Sequence, residues 1–382
     1  MARRGAHPYT EKVFTPNGWK LWEDIKIGDK LYGTDGKETT VIDIPYDKEA
    51  PYYKLTLRDG REVTASDDHL WVIQEGHKKY LQTVSTKQLL SMYVKSRKVS
   101  DRIPSGKEYN CFIVKNSGVA MDSRVTKVDP YTFGLLLGDG CFRHESCYFT
   151  QLDTDIEEEA HYIPYTLTKW SGKYAYRICI PNWKTIIKDY NLWYKKSEDK
   201  FIPDEYKYNS RSVRLNLLKG LFDSDGHVHG GVPTLSTTSE ILKDDVLEVA
   251  RSLGYNASFT KQRTGYKKED IYVECLPVYS ISVYAGAEIF NLTRKKEKVK
   301  YENGNAKSRK LKTAITNIEY LGETKCKCVT VDSQDNCYLI GDFITTHNCS
   351  KSYSLAAIMS HNLILGESEE AKRRVTTILT AF

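Results

Sequence analysis

Two stretches of this chain repeat one pattern 86 residues apart: Thr132-Phe133-Gly134-Leu135-Leu136-Leu137-Gly138-Asp139-Gly140 and Leu218-Lys219-Gly220-Leu221-Phe222-Asp223-Ser224-Asp225-Gly226. Their apolar spacing reads as helix, and the closing Asp-Gly reads as a stop. A glycine at the third position removes the Cβ that would hold two such helices apart. Two helices of this kind crossing at a pseudo-twofold axis would set Asp139 and Asp225 side by side.

Around the repeat the texture is mixed. Ile241 to Leu253 has helical spacing, whereas Tyr174 to Ile180 and Val278 to Tyr284 read as strands. Residues 10 to 75 are rich in β-branched and aromatic residues and are broken by turn signals at Pro16-Asn17-Gly18, Asp35-Gly36 and Asp59-Gly60, which predicts an all-β module of hairpins. Thr313 to Leu321, Cys328 to Val331 and Tyr338 to Ile344 have the same character. The two β segments are expected to fold together, so the α+β part is an insertion into a β module. Beyond Cys349, Ser354 to Leu365 reads as one apolar helix.

At 382 residues, with 40% hydrophobic and 12% aromatic residues, the chain can build two or three packed cores. An apolar run of ~18 residues and a basic-then-apolar leader are both lacking, which predicts a soluble, intracellular protein without a membrane partner. Nine cysteines at irregular spacing predict reduced thiols. Cys326-x-Cys328 lacks the second pair or the His couple of a zinc site. The net charge of +6 is uneven: nine Lys or Arg residues between Arg294 and Lys312 face only Glu297 and Glu302. That run reads as a solvated linker or as a phosphate-contacting segment.

His347-Asn348-Cys349 carries a specific chemistry. The side-chain amide of Asn348 can attack its own carbonyl carbon, close a five-membered succinimide and release Cys349 with a free thiol. His347 can donate a proton toward that carbonyl or to the leaving amine. Ser66-Asp67-Asp68-His69 follows a strand-like Glu62 to Ala65, and Lys327 to Asp332, Tyr338-Leu339 and Phe343 to Asn348 close the pattern. In that order these segments resemble the conserved blocks of inteins. The resemblance implies that Ser66, in place of the usual Thr, and the catalytic His69 polarise the upstream scissile bond. It leaves Cys328, where many inteins carry Asp, as an acid–base or relay residue or simply a small buried one. The first intein residue is normally Cys or Ser, but here it is Ala6, so an acyl shift onto that residue is impossible. Either the chain is of a minority class in which the downstream cysteine attacks the Gly5–Ala6 bond directly, or an alanine has replaced a native cysteine and traps the precursor. Direct attack requires a strained or strongly polarised bond.

The repeated helix resembles the LAGLIDADG motif of homing endonucleases. The resemblance implies that Asp139 and Asp225 bind Mg²⁺, which activates a water for phosphodiester cleavage of double-stranded DNA. Lys200-Phe201-Ile202-Pro203 is similar to the lysine block of these enzymes, and Thr237 to Tyr255 to their following helix. A second catalytic lysine is expected within Lys295 to Lys300, where the sequence singles out none. Strands after each motif would form a saddle on the major groove.

Joining Gly5 to Cys349 gives Arg3-Arg4-Gly5-Cys349-Ser350-Lys351-Ser352. This resembles the variant phosphate-binding loop of a phage terminase large subunit, in which Lys351 and Ser352 would bind ATP only after splicing. The expected architecture is a mainly β, Hint-type horseshoe splicing domain over 6–120 and 313–348, interrupted by an α+β two-motif LAGLIDADG endonuclease at 121–312. Residues 1–5 and 349–382 are expected to be host flanks. Splicing needs no cofactor, the partners are the flanks and duplex DNA, and the expected state is a monomer.

Overall fold

A computed structural model describes residues 5–76, 78, 80–99, 111–151, 153–170, 174–268, 271–300 and 312–348. Strands β1 (Glu38–Leu57) and β2 (Lys312–Val331), 20 residues each, pair antiparallel from Val41 opposite Val331 to Leu57 opposite Ile315. Strands usually run 3–10 residues. This pair persists because register shifts, among them Tyr320/Gly322 and Cys328/Thr330, bend and twist the ladder along its length.

Two expectations are corrected here. Thr313 to Leu321 and Cys328 to Val331 are parts of one strand, because the intervening Gly322 to Lys327 stay extended by pairing with Asp47 to Tyr52. Tyr338 to Ile344 is instead split: Cys337–Ile340 and Ile344–His347 form a hairpin around Gly341–Phe343. Phe343 sits at φ 57°, costly for a bulky side chain. Its carbonyl accepts from Asn116 Nδ2 at 2.8 Å and from Arg61 at 3.4 Å, which hold the turn.

Around the long pair the sheet runs Lys30–Tyr32, β1, β2, Cys111–Val114, Leu70–Glu75 and Gln82–Ser85. His7–Pro8 adds to β2 and Glu62–Ser66 to β1. Trp22, Trp71, Leu31, Val41, Leu55, Ile73, Ile113, Ile315, Val329 and Ile340 fill its core, so the segments before residue 114 and after residue 312 share one interior.

The inserted part has a separate core, from Val128 to Phe290. Helix α1 (Pro130–Asp139) starts with Asp129 accepting from the Thr132 amide at 2.9 Å, with Pro130 in the first turn. Helix α2 (Arg211–Ser224) starts at Ser210, and Asp225 is its C-terminal cap rather than its last helical residue. Each helix leads into a four-stranded antiparallel sheet, Gly140 to Ile178 and Gly226 to Val283, with the same strand order, first-second-fourth-third. The repeat is therefore structural as well as sequential.

The two units touch through α3 (Glu240–Ser252). Arg251 pairs with the Asp342 carboxylate and donates to the carbonyls of Asp59 at 3.2 Å and Ala257 at 3.0 Å. Trp19 Nε1 donates to Glu248 at 2.8 Å. Among the described residues no helix is long and apolar enough to cross a membrane.

Candidate splicing and nuclease sites

The pairing of His7–Pro8 with Lys327 and Cys326, and the hairpin that ends at His347, carry residues from the two ends of the chain into one buried pocket. The Ala6 amide donates to Ser66 Oγ at 2.9 Å, and the Ser66 amide donates back to the Ala6 carbonyl at 2.8 Å. Gly5 lies against the backbone of His69, where a Cβ would come 2.2 Å from the His69 Cα. His69 is buried and its Nε2 meets Thr346 Oγ1 at 2.5 Å. Its Nδ1 is also buried and has no partner in hydrogen-bond geometry, although the Gly5 backbone is near enough to favour the charged ring. Burial, then His7 and His347, hold the His69 pKa well below the usual value, so the ring is neutral.

Asn348 is buried too. Its amide donates to Asn336 O at 2.7 Å and its Nδ2 to Val331 O at 3.2 Å. His347 Nδ1 touches the Asn348 carbonyl oxygen, the oxygen that must take up charge when Nδ2 attacks that carbon. Cys328 is buried in a small cluster with Ala6, Ala50 and Cys326. Burial pushes the Cys326 thiol up to about 12. Ala6, Ser66, His69, His347, Asn348 and Cys328 thus converge. Cys349, Lys351 and Ser352, and the helix expected from Ser354, lie outside the described residues.

In the inserted unit Asp139 and Asp225 meet at the paired ends of α1 and α2. Asp139 is raised to about 6 by burial and then by Asp225, to which it donates a hydrogen bond. Asp225 is raised by burial, with Lys200 and Lys295 opposing. Lys200 Nζ donates to the carbonyls of Leu137 at 2.6 Å, Gly138 at 2.7 Å and Gly140 at 3.3 Å. Lys295 repeats this on the other helix, donating to Phe222 O at 2.9 Å, Asp223 O at 2.5 Å, Ser224 O at 3.2 Å and Gly226 O at 2.6 Å. Each lysine supplies a positive charge to the carbonyl-rich end of a helix and stands beside the carboxylate pair. Burial lowers both lysines, Lys295 to about 8.

Of the four lysines in 295–300, Lys295 is thus the one that matches Lys200. Spacing alone does not single it out, since Lys295 follows Asp225 by 70 residues whereas Lys200 follows Asp139 by 61. The start of the basic run is neither linker nor free phosphate contact, since Arg294 is drawn onto the Asp155 carboxylate. Sequence reasoning also missed His7 and Thr346, which line the splicing pocket. Only the pairing of distant strands reveals them.

A family model described as "Homing endonuclease" matches residues 201–307, which hold α2, Asp225 and Lys295. That segment is similar to homing endonucleases, and the chain is an enzyme. Over 94% of its length the chain is 26% identical to the replicative DNA helicase DnaB of Mycobacterium intracellulare, and it spans 62% of that relative. Among solved structures it is similar to the Msm DnaB1 intein splicing domain bound with zinc, at 11% identity and a TM-score of 0.30 over 90% of this chain and 100% of that one. It is also similar to I-DmoI in complex with DNA and Ca, at 11% identity and a TM-score of 0.27 over 41% of this chain and 82% of that one.

Proposed function

We propose that the chain is an intein, a splicing domain of residues 6–120 and 313–348 interrupted by a nuclease at 121–312. It excises residues 6–348 and joins Gly5 to Cys349. The observation that carries this reading is the convergence of Ala6, His69, His347 and Asn348, from opposite ends of the chain, on one buried site. Ala6 brings no nucleophile, but the thiol of Cys328 packs in its cluster. In this reading the Cys328 sulfur attacks the Gly5 carbonyl carbon. The C–N bond to Ala6 breaks and the thiol proton passes through His69 Nδ1 to the Ala6 nitrogen, leaving a thioester on Cys328. Cys349 takes over the acyl group by thioester exchange and restores the Cys328 thiol.

Asn348 Nδ2 then leaves Val331 O and attacks its own carbonyl carbon while His347 steadies the oxygen. The succinimide forms, the Cys349 amine departs, and its attack on the neighbouring thioester gives the Gly5–Cys349 peptide. Asn348→Ala tests the reading: cleavage before Cys349 should stop, seen as loss of the corresponding mass. Normal cleavage in that variant would end it.

The nuclease reading rests on the carboxylate pair. Two acids that share a proton are suited to a divalent cation, and a donor set of two carboxylates fits Mg²⁺, which is usually completed by substrate phosphates and water. Asp139 and Asp225 would hold it, and when bound it supplies a polarised water and charge for the leaving oxygen. Lys200 and Lys295 orient the two helix ends and place positive charge beside the scissile phosphate. The target is duplex DNA carrying the uninterrupted host junction, and the chain acts as a monomer because both motifs are in one chain. The host is a P-loop ATPase of the terminase type by its rejoined Gly5-Cys349-Ser350-Lys351-Ser352. The DnaB relative favours a second reading, a helicase host.

A further inference from the structure

The strand that brings His347 to Asn348 is gripped at its start by the inserted unit. The inference rests on the splicing reading. Ile344–His347 leaves the Gly341–Phe343 turn and sets His347 Nδ1 against the Asn348 carbonyl oxygen. Phe343 occupies the left-handed region at φ 57°, where a bulky residue stays only because its surroundings dictate it. The groups that hold this turn therefore set where the strand after it points.

Asp342, inside the turn, pairs with Arg251 near the C-terminal end of α3. Arg251 is buried, and its bonds to the carbonyls of Asp59 and Ala257 fix the plane of its guanidinium. Arg61 donates to the carbonyls of Asp342 at 3.3 Å and Phe343 at 3.4 Å, and Asn256 of the inserted unit accepts from the same guanidinium at 3.1 Å. The Phe343 ring lies 5.4 Å from both Phe14 and Trp19. From the inserted unit, Tyr208 stacks on Phe14 at 5.7 Å and Glu248 accepts from Trp19. Ser252, next to Arg251, accepts from the Val119 amide at 2.8 Å and ties α3 to the chain that enters the insertion.

We propose that Arg251 is a positioning residue for cleavage before Cys349: through Asp342 it fixes the turn, and the turn fixes His347 against the Asn348 carbonyl. Arg251 touches no reacting atom. Its hold reaches His347 along five residues of chain, roughly 16 Å if fully extended. Cyclisation of Asn348 needs its Nδ2, its carbonyl carbon and His347 in one geometry, so a small shift of the strand is felt in the rate. The inserted unit is in this way a working part of the splicing site.

The test follows release of residues 349–382 from the full chain by mass, together with hydrogen exchange of residues 341–348 and cutting of duplex DNA. Arg251→Met keeps most of the side chain's length and removes its charge and donors. The Asp342 side chain is 33% exposed, so its freed carboxylate can turn to water. Release should slow by about 10²-fold and the amides of Ile344–His347 should exchange faster. DNA cutting should persist, which shows the inserted unit intact. Arg251→Lys, which keeps the charge, should recover part of the rate. Asp342→Asn should slow release less, and combined with Arg251→Met it should be no slower than Arg251→Met alone. A folded Arg251→Met with unchanged release and exchange overturns the proposal, as does slowing that adds in full to that of Asp342→Asn. If Arg251→Met does not fold, release at the unaltered rate from both Arg251→Lys and Asp342→Asn overturns it. An unaltered chain that never releases residues 349–382 would sink the splicing reading, while exchange in Arg251→Met would still show whether Arg251 holds the turn.

Discussion

Gly134 and Gly220 face each other where α1 crosses α2, close enough that a Cβ on Gly134 would lie 3.1 Å from the Gly220 Cα and 2.1 Å from the Leu217 carbonyl oxygen. A Cβ on Gly220 would lie 2.0 Å from the Tyr131 carbonyl. On an exposed helix Gly→Ala gains roughly 1 kcal/mol from backbone entropy. At this crossing the overlap is with backbone, which cannot swing aside, and overpacking of this kind costs roughly 1–3 kcal/mol or more. Gly220→Ala is therefore expected to lower the unfolding temperature of the inserted unit and to weaken DNA cleavage by spreading Asp139 from Asp225. Calorimetry that found this variant more stable would contradict the geometry.

Cleavage of a duplex spanning the host junction should require added divalent cation and vanish in Asp139→Asn or Asp225→Asn. Chelation with EDTA should abolish cutting while leaving release of residues 6–348 unchanged, because the proposed splicing steps are thiol and amide attack with proton transfer and draw on no metal ion. Loss of splicing on chelation would show that the two sites are not chemically separate.

The fold should weaken in mild acid. Burial lowers His7 from its ordinary 6.5 to about 4 and lowers His69 in the same direction. The folded chain therefore binds fewer protons than the unfolded chain between these values. The stability involved is complete above pH 6.5 and is lost as pH falls from 6.5 toward 4, amounting for His7 to roughly 3 kcal/mol. Urea titrations at pH 7.5 and 5 should show this loss, and His7→Gln should reduce it. A pH-independent midpoint would mean that His7 is not buried neutral.

Local pattern carried much of this reading, and its limits have physical causes. The glycine–acid repeat was legible because helix crossing demands small residues at fixed places, and α1 and α2 fall where the spacing put them. His69 and Asn348 could be singled out as candidates because Ser66-Asp67-Asp68-His69 and His347-Asn348-Cys349 are short local patterns. The single long β2 was not, since the polar Gly322 to Lys327 are kept extended only by partners more than 250 residues away. His7 and Thr346 look ordinary in sequence and acquire meaning at a separation of 339 residues. Lys295 lay in a basic run whose composition suggested solvent, and only the carbonyls at the end of α2 single it out.

The central claim is that this chain, with Ala6 at the junction, splices by means of Cys328. Intact masses followed over time for the unaltered chain, Cys328→Ala and Ala6→Cys decide it. The expected result is release of residues 6–348 with joined flanks from the unaltered chain and none from Cys328→Ala. Splicing that appeared only after Ala6→Cys, or that survived Cys328→Ala undiminished, would contradict the account.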